Sequence, residues 1–332
     1  MAVKAVVHHQ PEGFDGLKVM DMKESNPGPG EVKVALKTSG LNHRDIWTLF
    51  RKRDSTDPVI LGSDGAGVVE AVGEGVDRVH VGDKVVINPS LGWPTKTEAP
   101  PSGFEILGAP THGTFAEKIL IPSDNVEPKP THLSWTEAGV LPLAALTAYR
   151  ALFTRGKVQS GEHVLVPGIG SGVATFVLLM AKAAGARVTV TSRSAAKRER
   201  ALELGADTAI DSSIEWKQQL NGDQADLIID SVGPATFDQC LKQLRPGGRL
   251  VNFGETSGKT VEIPLRPFFF GQLNFLGTTM GSSEEFREML QFVNDHQIRP
   301  VMDHTYPLSE AVEAFQRMEE GKQFGKIGLE NE

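Results

Sequence analysis

The chain has 332 residues, of which 39% are hydrophobic and 23% are charged, values typical of a soluble globular protein with about two domains. Its formal net charge of −8, from 34 basic and 42 acidic side chains, argues against nucleic acid or an anionic membrane as the main partner. The only cysteine, Cys240, excludes an intrachain disulfide and a Cys-x-x-Cys metal site.

The N-terminal segment MAVKAVVHH has strand-like residues and lacks the long apolar core of a secretory signal. No apolar run in the sequence approaches the roughly 20 residues that a membrane-spanning helix needs. We therefore expect a cytoplasmic protein that has no membrane partner.

The chain up to Ile121 contains short strand-like runs separated by turns rich in glycine and proline, a pattern that predicts an all-β, partly closed barrel. The pattern fails between Asn88 and His112, where five prolines indicate a lobe that Trp93 or Phe104 would have to stabilise by packing. The predicted strands are Val3–His8, Glu31–Lys37, Gly67–Val72, Lys84–Ile87 and Phe115–Ile121.

After Ser134, strand-like and helical runs alternate, which predicts βαβ units and a parallel sheet covered by helices. Gly185 and Gly205 lie where helix C-termini are expected. The fold class is therefore α/β, with a doubly wound parallel sheet after the barrel. The runs are Trp135–Leu152, His163–Pro167, Val173–Ala184, Arg187–Thr191, Ala195–Leu204, Asp226–Asp230, Ala235–Leu244 and Arg249–Phe253.

The C-terminal segment carries two predicted amphipathic helices. The first begins at Ser282 with a capping-box pattern. The first helix has Phe286, Met289, Leu290 and Val293 on one face, and the second has Leu308, Val312, Phe315 and Met318.

The sharpest motif is a glycine cluster between a buried strand and a helix. The glycines Gly168, Gly170 and Gly172 let the backbone turn tightly and approach a pyrophosphate at the N-terminus of the helix. Ser171 and Val173 lie next to this helix N-terminus and are also predicted to contact the cofactor. Val173 stands where the third glycine of G-x-G-x-x-G is expected. The strand before the cluster and the helix and strand after it favour a dinucleotide site over a flexible loop of another α/β fold.

The end of the next strand indicates which dinucleotide binds. An enzyme that prefers NAD usually has an acidic residue there, whereas this chain has Ser192, Arg193 and, four residues on, Lys197. A hydroxyl and two cations suit a 2′-phosphate. NADP(H) is the predicted cofactor, and a solvated basic helix start is the alternative interpretation.

The whole chain resembles the medium-chain dehydrogenase/reductase superfamily. The resemblance rests on segments that occur in the superfamily's order, and it implies a GroES-like catalytic domain at 1–143 and 283–332 and a Rossmann domain at 144–282. These segments are GLNHRD, LGSDGAGVVEAVGEGV, VGDKV, GTFAEK, LPLAALTAYRAL, GADTAID and LRPGGRLVNFG.

Compared with the superfamily's zinc branch, the expected metal ligands are replaced. Asn42 stands where that branch has a cysteine, Ser63-Asp64 where it has a histidine-glutamate pair, and Leu143 about where it has a further ligand. Arg44 occupies the position of the branch's proton-relaying hydroxyl, and the lobe carries none of the branch's four cysteines. No metal is therefore expected, although a rearranged site using His43 and Asp64 is the alternative.

Asn42, in the pattern GLN, is typical of the zinc-free quinone oxidoreductase branch, where the amide lies near the nicotinamide and substrate. The resemblance implies that Asn42 orients the substrate, and His43 supplies a proton or a hydrogen bond or else contacts the cofactor or the domain interface. Asp45 is interpreted as a capping or bracing carboxylate.

Matching the superfamily implies further cofactor contacts. They are Ser231 and Val232 after one strand, Phe253 and Gly254 after the next, and Lys326 near the C-terminus. Core packing is the alternative for Phe253, and a solvated tail is the alternative for Lys326.

The expected function is NADP(H)-dependent, zinc-independent hydride transfer to a small apolar quinone, α,β-unsaturated carbonyl or activated aldehyde. The alternatives are a zinc-type alcohol dehydrogenase-like enzyme with substituted ligands, and an NADPH-binding protein with little turnover. The resemblance also implies a homodimer formed through an edge strand near Gln272–Gly277, although a central strand has the same pattern.

Overall fold

The computed structural model describes residues 2–51 and 57–331. The chain divides into two compact units, Met1–Ala144 with Gly281–Glu332 and Ala145–Met280. The corresponding boundaries expected from the sequence were 143/144 and 282/283. Within the described residues, no helix is long and apolar enough to cross a membrane.

The first unit is built mainly from antiparallel strands, because its valine-rich runs place alternate side chains in a common core. Glu31–Gly40 is central to the larger sheet and pairs with Asp64–Val72, Lys118–Pro122 and Lys326–Glu330. The unit's strands are Ala2–His8, Leu17–Lys23, Glu31–Gly40, Val59–Ile60, Asp64–Val72, Lys84–Ile87, Ser90–Leu91, Glu105–Ile106, Lys118–Pro122, Val126–Pro128, Met302–Pro307 and Lys326–Glu330.

The helices of the first unit are short, apart from the one that opens the C-terminal segment. That helix has the predicted capping box between Ser282 and Glu285, and its four predicted apolar residues are buried. The predicted lobe contains a two-stranded sheet, and Trp93 packs edge-on against Phe104 with ring centroids 5.2 Å apart. The helices are His43–Leu49, Trp135–Gly139, Ser283–Asp295 and Ala311–Glu319.

The prediction of a single helical run at Trp135–Leu152 is wrong. The structure has a helix at Trp135–Gly139, a second at Pro142–Tyr149 and a π-helical segment at Arg150–Arg155. Pro142 lacks a backbone N–H and favours the first position of a new helix, so the run cannot continue through it.

The second unit contains a six-stranded sheet in which all strands are parallel, in the order third, second, first, fourth, fifth, sixth. This is a doubly wound order, so the predicted α/β class is confirmed. The strands are His163–Val166, Arg187–Thr191, Thr208–Ile210, Ala225–Asp230, Leu244–Asn252 and Asn274–Gly277, and the helices are Gly172–Ala183, Ala195–Glu203, Trp216–Gln219, Pro234–Gln243 and Leu265–Phe270.

Candidate functional site

In the second unit, the glycine loop follows the first strand of the parallel sheet and leads into the helix Gly172–Ala183. Gly168 has a φ of 68° and Gly170 a φ of 128°, values that side-chain-bearing residues rarely adopt. Ser171 caps the helix by accepting a hydrogen bond from the N–H of Ala174 at 3.2 Å. The loop therefore has the local geometry in which backbone N–H groups bind an anion.

The fold brings several predicted cofactor residues together at the carboxyl edge of the sheet. A Cβ added at Gly168 would lie 2.8 Å from the Val232 side chain, and one at Gly170 would lie 3.3 Å from Lys197 Nζ. Likewise, Gly254 lies against Ser231, whose carbonyl oxygen would be 2.7 Å from a Cβ at that glycine. These close approaches require glycine at positions 168 and 254, and the resulting cradle fits a dinucleotide phosphate.

Asp230, at the end of the fourth strand, organises the loop that carries Ser231 and Val232. Its carboxylate accepts hydrogen bonds from the N–H groups of Val232 and Gly233, both at 3.0 Å, and from the hydroxyl of Thr236 at 3.1 Å. Burial raises the pKa of Asp230, and these donors oppose that shift. Asp230 is therefore a bracing residue of the cradle that the sequence analysis had not assigned.

The basic edge predicted to bind a 2′-phosphate is formed by Ser192, Arg193 and Lys197. Ser192 is buried, Arg193 is exposed and Lys197 is half-buried. No acidic residue lies at the end of the second strand itself, but the fold brings one near this edge. Asp211 lies in the segment after the neighbouring strand and binds Arg198 at 3.1 Å, so its negative charge is paired.

Phe253 is half-buried, and its N–H donates to the Asp230 carbonyl oxygen at 3.1 Å. The position of this residue at the end of the fifth strand is consistent with either predicted role, cofactor contact or core packing. Its role stays a prediction.

In the first unit, Asn42, Asp64 and Lys326 form a buried polar cluster. Lys326 Nζ donates to Asn42 Oδ1 at 2.7 Å and to Asp64 Oδ2 at 3.0 Å. Asn42 Nδ2 donates to the same Asp64 oxygen at 2.8 Å. Lys326 exposes 2% of its side chain and Asp64 none, so the alternative of a solvated tail for Lys326 is wrong.

The cluster fixes the orientation of the Asn42 amide, since a lysine ammonium can only donate and a carboxylate only accepts. The remaining oxygen of Asp64 accepts from the N–H of Leu143 at 2.6 Å. Burial raises the pKa of Asp64, while Lys326 and the N–H donors act in the opposite direction. Asp45 accepts from the Asn42 N–H at 2.8 Å, in keeping with its predicted capping role.

These residues do not fit a zinc ion. The polar atoms of Asn42 and Asp64 are already bonded around the Lys326 ammonium, and Ser63 Oγ donates to the Leu107 carbonyl oxygen at 2.6 Å. Leu143 offers no side-chain ligand. In the described ranges 2–51 and 57–331, no group of three or more His, Cys, Asp or Glu residues could hold a metal ion.

His43 begins the helix His43–Leu49 and packs edge-on against Trp47, with ring centroids 5.3 Å apart. The residue remains exposed, yet the protein atoms around its ring lower its pKa by desolvation. The imidazole is therefore mainly neutral at pH 7, a state in which one nitrogen donates and the other accepts a hydrogen bond.

Comparison with known proteins agrees with this architecture. The sequence profile described as alcohol dehydrogenase GroES-like domain matches residues 28–131, and that of zinc-binding dehydrogenase matches residues 172–295. A zinc-type alcohol dehydrogenase-like protein of Leptosphaeria maculans is 34% identical and covers 92% of this chain and 91% of its own. The chain belongs to the medium-chain dehydrogenase/reductase superfamily. It is thus an oxidoreductase with a GroES-like unit and a Rossmann unit.

Other superfamily members are similar to this chain over nearly its whole length. The crystal structure of an NAD-dependent alcohol dehydrogenase superposes with a TM-score of 0.92 at 36% identity and covers 98% of this chain and 99% of its own. An acryloyl-coenzyme A reductase of Sulfurisphaera tokodaii is 29% identical and covers 98% of this chain and 99% of its own. The superfamily members therefore include proteins named for alcohol oxidation and for enoyl reduction.

Proposed function

We propose that the chain is an NADP(H)-dependent, zinc-independent reductase of a small carbonyl-containing acceptor. The observation that carries the proposal is the buried Lys326 ammonium among Asn42 and Asp64, because it leaves no ligand set for zinc at the position that the zinc branch uses. The relative named acryloyl-coenzyme A reductase supports an acceptor with a conjugated double bond.

The cradle of the second unit would hold the proposed cofactor. The glycine loop and the helix start at Ser171 would bind the pyrophosphate, and Arg193 and Lys197 would bind the 2′-phosphate. The Ser231–Val232 loop, Phe253 and Gly254 would line the rest of the cofactor. When bound, NADPH supplies a hydride.

In the first unit, the proposed roles concern orientation and protons. Lys326 and Asp64 hold the Asn42 amide in one orientation, which would let this asparagine help to position the acceptor without moving. A neutral His43 can donate a hydrogen bond to an acceptor oxygen. Quinones, α,β-unsaturated carbonyls and activated aldehydes suit such a site because they delocalise the negative charge that develops.

The test is the initial rate of NADPH and NADH oxidation with EDTA present, measured against a quinone, an enone and an aldehyde. We expect turnover with the enone or the quinone that prefers NADPH and survives the chelator. Loss of activity in EDTA and its recovery with zinc would instead support the zinc-type alternative. Tight NADPH binding without turnover would support a binding protein. A preference for NADH would contradict the proposed NADPH specificity and would match the name of the NAD-dependent relative.

We also propose a homodimer formed through the strand Asn274–Gly277. This strand is an edge of the six-stranded sheet, and Phe275 exposes 40% of its surface there. Light scattering of the purified protein should give twice the chain mass, and Phe275→Asp should shift it towards the monomer. A wild-type monomer at micromolar concentration would contradict the proposal.

A further inference from the structure

Arg44 is a largely buried cation that is held firmly by neutral partners. Its side chain exposes 16% of its surface, and Nη1 donates to Ser63 Oγ at 2.8 Å and to the Leu107 carbonyl oxygen at 3.0 Å. Because Ser63 Oγ gives its own proton to the same carbonyl, its lone pair faces Arg44. Both Nη1 protons are used in these bonds, so the plane of the guanidinium is fixed.

The charge of Arg44 is poorly compensated within the described residues 2–51 and 57–331. The nearest carboxylate oxygen, Asp45 Oδ1, lies 3.8 Å from Nη1, and the other oxygen of Asp45 is bonded to the Asn42 N–H. Asp64 is bonded to Lys326. An arginine this buried is normally paired, because an unpaired charge in the interior is costly.

Other arginines of similar burial show the contrast. Arg198, Arg249 and Arg317 expose 21%, 19% and 32% of their side chains, and each has a carboxylate oxygen within 3.1 Å. Arg44 is more buried than any of these three and lacks such a contact. Unlike these three arginines, Arg44 points to a site whose negative partner is not part of the chain.

The available edge of Arg44 has a specific shape. Within the part of the chain that the structure describes, both hydrogen bonds of Arg44 use Nη1, which leaves the Nε–H and Nη2–H groups for a ligand. The Nε–H and one Nη2–H of a guanidinium are parallel, and this fork matches the two oxygens of a carboxylate.

We propose that Arg44 binds a carboxylate carried by the acceptor. The proposal rests on the proposed reductase function and narrows the acceptor from a small carbonyl compound to an activated carbonyl compound that carries a carboxylate. Ser63 and the Leu107 carbonyl oxygen are the positioning groups, since they fix the fork before the ligand arrives.

The first experiment measures binding without turnover. Calorimetry would compare benzoate with the neutral benzamide on the wild type, Arg44→Gln, Arg44→Lys and the control Arg51→Gln, which removes a nearby exposed charge. We expect both Arg44 variants to weaken benzoate binding at least about tenfold, since neither presents the fork, while Arg51→Gln leaves it unchanged. Arg44→Lys keeps a hydrogen-bond donor for Ser63 and a positive charge, so it controls for a loss of binding that is caused by misfolding.

Three results would overturn the proposal: no benzoate binding to the wild type, unchanged binding by both Arg44 variants, or an equal loss in Arg51→Gln. The last result would show general charge attraction only. Because this experiment needs no acceptor turnover, benzoate binding that depends on Arg44 would support the site even in a protein that fails as a reductase.

The second experiment uses a carboxylate-bearing enone and its methyl ester as acceptors. In Arg44→Gln, KM for the carboxylate should rise at least about tenfold with kcat retained, while KM for the ester stays unchanged. A similar loss for both acceptors would overturn the carboxylate assignment.

Discussion

The glycine loop of the second unit and the polar cluster of the first unit hold their functional groups in opposite ways. The loop takes its groups from one continuous strand, turn and helix, and the helix is capped locally by Ser171. In the cluster, Lys326 contacts Asn42 across a sequence separation of 284 residues. A backbone site is specified locally, whereas a buried charge network depends on the whole first unit.

The largest effect is expected from removing the cation of the cluster. Lys326→Met leaves Asp64 buried without its partner, which should lower the free energy of unfolding by about 3–5 kcal/mol. Urea denaturation measures the change, and Lys322→Met, whose side chain is 64% exposed, is the control. If the two variants lose equally little stability, the buried ion pair does not stabilise the first unit.

The glycine loop can be tested with a pair of matched glycines. Gly168→Ala and Gly205→Ala both place a side chain at a positive φ, 68° and 99° respectively, and each should cost about 1–3 kcal/mol of stability. Only Gly168→Ala meets Val232, so it alone should weaken NADPH binding, by about tenfold or more. Fluorescence titration measures the affinity of each variant for NADPH. Equal affinities of the two variants would show that the loop does not contact the cofactor.

Asp45 should make stability depend on pH. Burial raises its pKa to about 6 from the ordinary value of 3.8, so the folded chain holds a proton that the unfolded chain releases between these values. This stabilisation is present below about pH 4 and lost as the pH rises through about 6.

Asp45→Asn keeps an oxygen for the Asn42 N–H and removes the titration. From pH 4 to 7, the stability of the wild type relative to this variant should therefore fall by about 1–3 kcal/mol. Urea denaturation across this range measures the difference, with the exposed Asp295→Asn as the control for charge removal. A constant difference for Asp45→Asn would show that this carboxyl does not titrate as described.

The smallest effect is expected at the basic edge. Arg193→Ala should reduce the preference for NADPH over NADH by about tenfold, because an exposed charge-assisted bond to phosphate contributes modestly. The ratio of kcat/KM for the two cofactors measures it, and Arg200→Ala, on the helix that follows, is the control. An unchanged ratio in Arg193→Ala would favour the interpretation of a solvated basic helix start.

The sequence by itself determined the elements whose signals are local. The strand-loop-helix around Gly168–Gly172, the capping box at Ser282 and the alternation of the second unit all depend on residues within a few positions of one another. Backbone geometry and apolar periodicity over a few residues depend directly on the identity and spacing of those residues. The strand Leu17–Lys23 was nevertheless missed, although it mixes apolar and charged residues between turns that contain Gly16 and Pro27.

Tertiary structure alone decided which distant charges meet. The pairing of the Lys326 ammonium with Asp64, the place of Asp211 beside Arg198 and the neutral partners of Arg44 depend on strand order and loop packing. The sequence does not distinguish a charged side chain that is solvated from one that is paired or unpaired in the protein interior. Only the surrounding fold, by removing water and supplying or withholding a counter-charge, determines which of these it is.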